Sequence, residues 1–139
     1  AVVGAQSRHL ASLTDYARSL PFPCELLSNV TDMAALMASC DLAIGAAGST
    51  SWERCCLGLP SIMIVLADNQ KLVAQNLENS GAAFIVENAG LIEREFPQYI
   101  NLLLPDPQLR KTMSIVSSHI VDGLGRERVA SAMEEINAS

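Results

Sequence analysis

A glycine-rich segment between two apolar runs constrains the fold of this chain more than any other feature. Residues 45–60 read GAAGSTSWERCCLGLP, and apolar runs at 41–45 and 61–66 stand on either side. Both runs are typical of short buried strands, and the Gly-Leu-Pro at 58–60 is a helix stop before the second one. A strand, a glycine-rich turn, a helix and another strand in this order predict a βαβ unit and a parallel sheet.

The glycine-rich turn opens a helix predicted over about residues 50–57, with Ser49, Thr50 and Ser51 at its start. The first N–H groups of a helix have no partner and carry the positive end of its dipole, so such a start can hold phosphate without a basic residue. Glu53 follows in the first turn, where a carboxylate can accept two hydrogen bonds from a sugar diol. Open α/β sheets bind ligands at the carboxyl ends of their strands. The pattern therefore indicates a nucleotide or nucleotide-sugar site.

Two features of this segment also have a purely structural interpretation. The residues 50–53 match the capping box S/T-x-x-E, in which Glu53 would bond the amide at the start of the helix. The spacing alone does not separate that role from a ligand role, and the two could coexist. Gly45 and Gly48 could serve only a tight turn, and the segment matches neither GxGxxG nor a Walker lysine pattern.

A second polar segment, Asp68-Asn69-Gln70, follows the next predicted strand. Because the carboxyl ends of neighbouring parallel strands meet at one edge of a sheet, these side chains would lie beside the same crevice. Helix capping by Asp68 or Asn69 is the alternative interpretation.

The remaining apolar patterns alternate between strand and helix up to about residue 87, and only helical patterns follow. Strands are predicted at 1–4, 24–27, 41–45, 61–66 and 82–86. In the helical region, Pro97 predicts one broken helix or two short ones, because proline removes a helix hydrogen bond. The predicted fold class is α/β, with a Rossmann-like parallel sheet, flanking helices and an all-helical C-terminal tail. Residues 1–139 are predicted to form a single domain, and the start at the tail of a strand predicts a fragment of a longer protein.

Composition excludes several classes of function. The net charge is −6 with no basic run, which argues against a nucleic-acid surface, and no apolar run approaches the roughly 20 residues of a membrane span. The four cysteines form no CxxC pair and are predicted to be buried free thiols, which favours a reducing cytoplasm. No cysteines or histidines have ligand spacing, so we expect neither a metal nor another cofactor.

The run DLAIGAAGSTSWERCCLGLPSIMIVLADNQ, at 41–70, resembles the nucleotide-binding half of GT-B-fold proteins. It most resembles the UDP-sugar hydrolases of pseudaminic acid biosynthesis and the related spore-coat polysaccharide proteins. The lipid II-forming N-acetylglucosaminyltransferase is similar more distantly. Further pieces of the resemblance lie at 28–33, 79–83 and 122–125, so it extends over essentially the whole chain. It implies that the sheet is part of the C-terminal half of a GT-B fold.

The resemblance also implies a UDP site with distinct roles for its residues. Glu53 would bind the ribose hydroxyls, the helix start would hold the diphosphate, and the second polar segment would contact the sugar or phosphate. A backbone group in the loop before residue 31 would contact the uracil edge. The implied residues are Val30, Gly48, Ser49, Thr50, Glu53, Asn69 and Gln70.

In the hydrolase family the reaction breaks the anomeric C–O bond of UDP-2,4-diacetamido-2,4,6-trideoxy-β-L-altropyranose, with inversion and release of UDP. The resemblance places the histidine base in an N-terminal domain that no part of this sequence matches. We therefore assign no catalytic residue, name that N-terminal domain as a partner, and expect weak UDP binding without turnover. Two alternatives stay open at this point: a glycosyltransferase of the same fold, and a non-catalytic nucleotide-binding or interaction module.

Overall fold

The computed structural model describes residues 1–137 and divides into two compact units, which meet between Met33 and Ala34. The first unit contains helix α1 (Leu10–Ser19) and one isolated parallel bridge between Val2 and Leu27. The predicted strands at 1–4 and 24–27 are therefore wrong as full strands. Pairing cannot extend past this bridge, because Gly4 begins a turn closed by the Ser7 N–H and Asn29 has a φ of 55°.

The second unit is built on a three-stranded parallel sheet. Its strands are β1 (Ala43–Ala46), β2 (Ser61–Ile64) and β3 (Ala83–Val86), in the spatial order β1-β2-β3. In register, Ser61 of β2 lies beside Ala43 of β1 and Ala83 of β3. The predicted α/β class and parallel sheet are confirmed, with three strands where the sequence predicted five.

Within residues 33–137 the structure has six helices, and the part after Asn88 is helical as predicted. They are α2 (Met33–Ala38), α3 (Thr50–Cys56), α4 (Lys71–Ser80), α5 (Ile92–Leu103), α6 (Pro107–Ile120) and α7 (Gly125–Asn137). Short 3₁₀ turns at Asp68–Gln70 and Ala89–Leu91 lead into α4 and α5. The Asp106 side chain accepts from the Leu109 N–H at 2.9 Å and caps α6, which has proline at its first helical position. No helix within residues 1–137 is long and apolar enough to cross a membrane.

Helix α5 continues through Pro97, so the predicted break at this residue is wrong. Proline removes only the bond to the carbonyl four residues earlier, and packing offsets that loss. The apolar face of α5 lies against β2 and β3, where the Tyr99 ring stacks on Phe84 at a centroid distance of 4.8 Å. The Tyr99 hydroxyl also donates to the Ile85 carbonyl at 3.1 Å, which fixes the helix to the sheet beyond the proline.

Helices cover both faces of the sheet. Successive residues of a strand point to opposite faces, and apolar side chains on both faces are buried. Met63 and Ile85 belong to one buried cluster, together with Leu77 of α4 and Cys55 of α3. Ile62 and Val86 belong to the other, whose members from the C-terminal helices are Leu103 and Met113. This two-sided burial fixes the carboxyl ends of the strands, where the candidate site lies.

An acidic cluster lies at the far edge of the sheet, away from β1. Glu78 of α4 lines a cleft of about 290 Å³ with Glu87, which follows β3. Burial raises the pKa of the Glu78 carboxyl, and the charges of Glu87 and Glu95 raise it further. The negative charge of Glu78 at neutral pH is therefore unfavourable in the folded state.

Replacing Glu78 with glutamine is expected to stabilise the chain at pH 7. A raised folded-state pKa gives stability that is present at low pH and is lost as the pH rises through that pKa, so the gain should vanish near pH 3. Since Glu78 is exposed, we expect no more than about 0.5 kcal/mol at pH 7. Thermal unfolding at pH 3 and pH 7 measures the gain in stability. Glu93→Gln is the control, since Glu93 is exposed and lies outside the acidic cluster. Equal effects of Glu78→Gln at pH 3 and pH 7 would contradict the electrostatic explanation.

Candidate functional site

The glycine-rich turn joins the carboxyl end of β1 to the first turn of α3. The Ser51 N–H donates to the Gly48 carbonyl at 3.0 Å, and the Trp52 N–H donates to the Ser49 carbonyl at 3.1 Å. Ser49 is the N-cap residue but has helical dihedral angles, and its side chain makes no capping hydrogen bond. Ser49 and Thr50 are exposed and Gly48 is half-buried. The predicted phosphate-binding residues therefore share one accessible turn.

Glu53 lies in the first turn of α3 as predicted, but the capping box does not form. That motif would need the Glu53 carboxylate to accept the N-cap amide, and here it accepts no hydrogen bond and joins no ion pair within residues 1–137. The helix begins one residue early for the motif, since Ser49 and not Thr50 holds the cap position and Glu53 is the fourth residue after it. The carboxylate is exposed and retains its full capacity to accept hydrogen bonds from a ligand.

Glu53 also lines an open cleft of about 870 Å³ in the second unit. Trp52 and Cys56 of α3 form one wall, α2 contributes Met37, and residues 120–128 close the other side. Arg128 in this wall pairs with Asp122. The pKa of the Asp122 carboxyl is lowered first by the Leu124 N–H that it accepts and then by Arg128. The cleft thus combines an apolar lining with one unpaired carboxylate.

Gln70 approaches the glycine-rich turn from the 3₁₀ turn after β2. Its Oε1 accepts the Leu66 N–H at 2.9 Å, which orients the amide. Its Nε2 lies 3.8 Å from the position that a Cβ on Gly48 would occupy, and it donates no hydrogen bond within the described part of the chain. The structure therefore brings Gly48 and Gln70 together, with one donor group available.

The neighbouring residues of this segment do not cap a helix. Asn69 is exposed, and the Asp68 carboxylate is 2.7 Å from the Lys71 ammonium. The cap position of the 3₁₀ turn belongs to Ala67, without a side-chain bond. The capping alternative for Asp68 and Asn69 is therefore wrong, and the role of Asn69 toward a ligand stays a prediction.

Val30 belongs to the first unit, where it is half-buried and follows Asn29 with its left-handed φ of 55°. The implied contact of its backbone with a uracil edge stays a prediction.

One residue of α3 that contacts the turn was not predicted from the sequence. Arg54, the single basic residue of the segment 45–60, is only 5% exposed. Its Nη2 donates to the Ala46 carbonyl at 2.6 Å and to Thr50 Oγ1 at 3.3 Å, and its Nε donates to the Thr50 carbonyl at 3.2 Å. The only sequence signal was its position four residues after Thr50, on the same helix face. A buried cation therefore lies directly against the turn.

The cysteines differ in burial. Cys55 is buried, Cys24 is half-buried, and Cys40 and Cys56 are exposed, with all four free. The prediction of buried thiols is therefore correct for Cys55 alone. Burial raises the pKa of the Cys55 thiol, so it stays neutral and packs as a small apolar group. No cluster of histidine, cysteine or acidic side chains within residues 1–137 has an arrangement that could hold a metal ion.

Residues 5–136 match the model of the glycosyltransferase family 28 C-terminal domain. The chain belongs to this family. The match covers both units and includes the glycine-rich turn, Glu53 and Gln70.

Curated relatives align over most of the chain but are much longer proteins. The spore coat polysaccharide biosynthesis protein SpsG of Bacillus subtilis is 26% identical over 136 residues, covering 97% of this chain and 40% of SpsG. A UDP-N-acetylglucosamine–N-acetylmuramyl-(pentapeptide) pyrophosphoryl-undecaprenol N-acetylglucosamine transferase of Sorangium cellulosum is 33% identical over 129 residues, covering 89% of this chain and 30% of the transferase. The chain thus spans two fifths or less of the length of these relatives.

Solved structures show the same architecture. Acinetobacter baumannii MurG superposes with a TM-score of 0.81 at 20% identity, covering 93% of this chain and 39% of that one. The spinosyn rhamnosyltransferase SpnG in complex with thymidine diphosphate gives a TM-score of 0.69 at 26% identity, covering 85% of this chain and 30% of that one. The fold is therefore that of the C-terminal half of a GT-B protein.

Proposed function

We propose that this chain is the UDP-binding half of a nucleotide-sugar hydrolase in bacterial surface polysaccharide biosynthesis. The observation on which the proposal rests is the unpaired carboxylate of Glu53, one helical turn from the accessible residues Gly48 to Thr50. The turn that carries Gly48 to Thr50 follows the carboxyl end of β1, where parallel sheets bind ligands. A ribose diol and a diphosphate need such an acceptor and such donors side by side.

Each site residue then has a distinct role toward UDP. Glu53 accepts hydrogen bonds from both ribose hydroxyls, and the turn at Gly48, Ser49 and Thr50 holds the diphosphate. The free amide of Gln70 donates to a phosphate or to the sugar, and Asn69 does the same from the exposed side. For Val30, in the first unit, a contact of its backbone with a uracil edge stays a prediction.

Two sets of relatives support the ligand class. The relatives named as N-acetylglucosamine transferases carry a UDP-sugar in their names, and SpnG was solved with thymidine diphosphate.

SpsG, whose alignment covers nearly the whole chain, supports a role in polysaccharide biosynthesis. The hydrolase assignment rests on the resemblance of residues 41–70 to UDP-sugar hydrolases of pseudaminic acid biosynthesis. The substrate would then be UDP-2,4-diacetamido-2,4,6-trideoxy-β-L-altropyranose or a related sugar. A glycosyltransferase of the same fold is the second candidate, since several relatives are named as transferases.

The catalytic base is expected to come from an N-terminal domain. A base must lie within hydrogen-bond reach of the attacking water. His119 is exposed on α6 and its Nδ1 is 2.6 Å from the Ile115 carbonyl oxygen, while His9 is exposed beside α1. Neither residue lines the cleft beside Glu53.

Calorimetric titration with UDP, UMP and CMP tests the proposed function. We expect UDP to bind at least about tenfold more tightly than CMP, because CMP has cytosine in place of uracil and also lacks the second phosphate. UMP should lie between the two, since it keeps the uracil edge but lacks the second phosphate. Equal binding of UDP and CMP, or no binding of either, would contradict the proposal and favour a non-catalytic interaction module. Incubation of the chain with a UDP-sugar should release no UDP. Repeated turnover would contradict the expectation that the catalytic base comes from an N-terminal domain.

A further inference from the structure

Arg54 is a buried cation without a carboxylate partner. It is 5% exposed, yet it forms no ion pair within residues 1–137. Buried charges in proteins are generally paired, because removing a charge from water is costly. Burial lowers the pKa of the guanidinium, while the neighbouring Cys55 and Glu53 oppose that shift. An arginine stays charged at neutral pH even so, and an unbalanced positive charge therefore lies beneath the turn.

The guanidinium is fixed against the glycine-rich turn from both ends. It bonds Ala46 at the end of β1 and both oxygen atoms of Thr50 at the start of α3. A Cβ on Gly45 would lie 3.3 Å from Nη1, so glycine at this position allows the guanidinium its close approach. The side chain thus spans residues 46–50 and holds the turn in one shape.

One nitrogen of this guanidinium is free. Nη1 has two N–H groups and donates no hydrogen bond among the described residues. The only side-chain nitrogen or oxygen atom in residues 1–137 that is both fully buried and without a partner is Ser51 Oγ. Nη1 is therefore not fully buried, and its two N–H groups have no partner within the described residues.

We propose that Arg54 is a positioning residue of the phosphate subsite, which holds the turn in its binding shape and has the ligand's phosphate groups as its counter-charge. The inference rests on the proposed nucleotide site and deepens it, since it assigns the preference for phosphorylated nucleotides over nucleosides to one residue. Because charge-assisted hydrogen bonds in a partly buried site are strong, this preference should depend on Arg54.

Calorimetry of UDP and uridine with Arg54→Met and Arg54→Lys tests the proposal. In Arg54→Met the affinity for UDP should fall roughly 10- to 100-fold while that for uridine changes less than about threefold. Arg54→Lys should recover part of the UDP affinity, because it restores the charge without the planar fork. Arg110→Met is the matched control, since Arg110 also donates to backbone carbonyls, those of Leu103 and Leu104 at 2.5 and 2.8 Å. It should leave the ratio of UDP to uridine affinity unchanged.

The outcomes separate this inference from the proposed function. Equal losses of UDP and uridine affinity in Arg54→Met would show that Arg54 serves only the fold, and unchanged UDP affinity would also overturn the inference. If either outcome is found but Glu53→Ala still weakens UDP binding, the proposed function stands and only the role of Arg54 fails. If the wild-type chain binds no UDP, both fail.

A second measurement needs no variant at the site. The Nε–H signal of Arg54 in nitrogen-15 NMR spectra of the wild-type chain should shift on addition of UDP and stay in place with uridine. Equal shifts with both ligands, or none with UDP at saturation, would overturn the inference.

Discussion

Replacing Glu53 with alanine is expected to lower the affinity of the chain for UDP by roughly 10- to 100-fold. The carboxylate accepts two hydrogen bonds from the ribose diol in the proposed complex, and bonds to a charged group contribute about 1.5–3 kcal/mol. No bond within residues 1–137 uses this carboxylate, so the folded state loses little besides its interaction with the helix dipole. That loss is about 0.3–1 kcal/mol of unfolding free energy. Calorimetry and thermal unfolding on the same samples measure both effects.

Glu93→Ala is the matched control for this variant. Glu93 is also an exposed acid in the first turn of a helix, α5, and it does not line the cleft. The control should show a similar small change in stability and an unchanged affinity for UDP. If Glu53→Ala binds UDP as tightly as the wild-type chain, Glu53 is not the ribose acceptor.

Gly58→Ala is expected to destabilise the fold by about 2–5 kcal/mol. Gly58 follows α3 with a φ of 61°, a conformation that costs other residues about 1–2 kcal/mol. A Cβ there would also lie 3.0 Å from Ser114 Oγ and 3.1 Å from the Ser114 carbonyl oxygen, where α6 packs against α3. Overpacking of this kind adds about 1–3 kcal/mol. Because backbone oxygen is one of the two contacts, a side-chain rotation cannot relieve it.

Gly81→Ala separates the cost of the left-handed backbone from the cost of the contact with Ser114. Gly81 ends α4 with a φ of 79°, but a Cβ on it would meet nothing within 4 Å. It should therefore lose only the conformational part, about 1–2 kcal/mol. Urea unfolding of both variants measures the two losses of unfolding free energy. Equal losses would show that the contact with Ser114 adds nothing to the cost of Gly58→Ala.

The central βαβ unit was predictable from the sequence because its signals are local. Two apolar runs, a glycine-rich turn and a Gly-Leu-Pro stop lie within 26 residues, and each acts over a few positions. The strands at 1–4 and 24–27 were not predicted correctly. Their apolar content is adequate, but pairing depends on the turn at Gly4 and the backbone of Asn29, which hydrophobicity does not report.

Two further features of the helices depend on tertiary packing, which sequence patterns do not report. Pro97 stays within α5 because the helix is held by its contacts with the sheet. Val129, Met133 and Ile136 have helical spacing on α7, yet they are between 60% and 75% exposed. Periodicity predicts which residues share a face, but not whether another element covers that face.

The sequence predicted where the residues of the candidate site lie, but not the electrostatics around them. The sequence indicated Glu53, the helix start and Gln70, and the structure places Gln70 against Gly48. The sequence pattern gave equal weight to a capping box, which does not form. The exact start of a helix, on which this motif depends, is rarely fixed by sequence. Arg54 was missed because a single arginine on a helix is usually a surface residue.

The most direct test of the nucleotide site is calorimetry of UDP and 2′-deoxy-UDP with the wild-type chain and with Glu53→Ala. If Glu53 accepts both ribose hydroxyls, the wild-type chain should bind UDP at least about tenfold more tightly than 2′-deoxy-UDP. In Glu53→Ala the two ligands should bind alike, since the acceptor of the missing hydroxyl is gone. A wild-type chain that does not distinguish the two ligands, or an equal preference in both proteins, would contradict the assignment of Glu53 to the ribose.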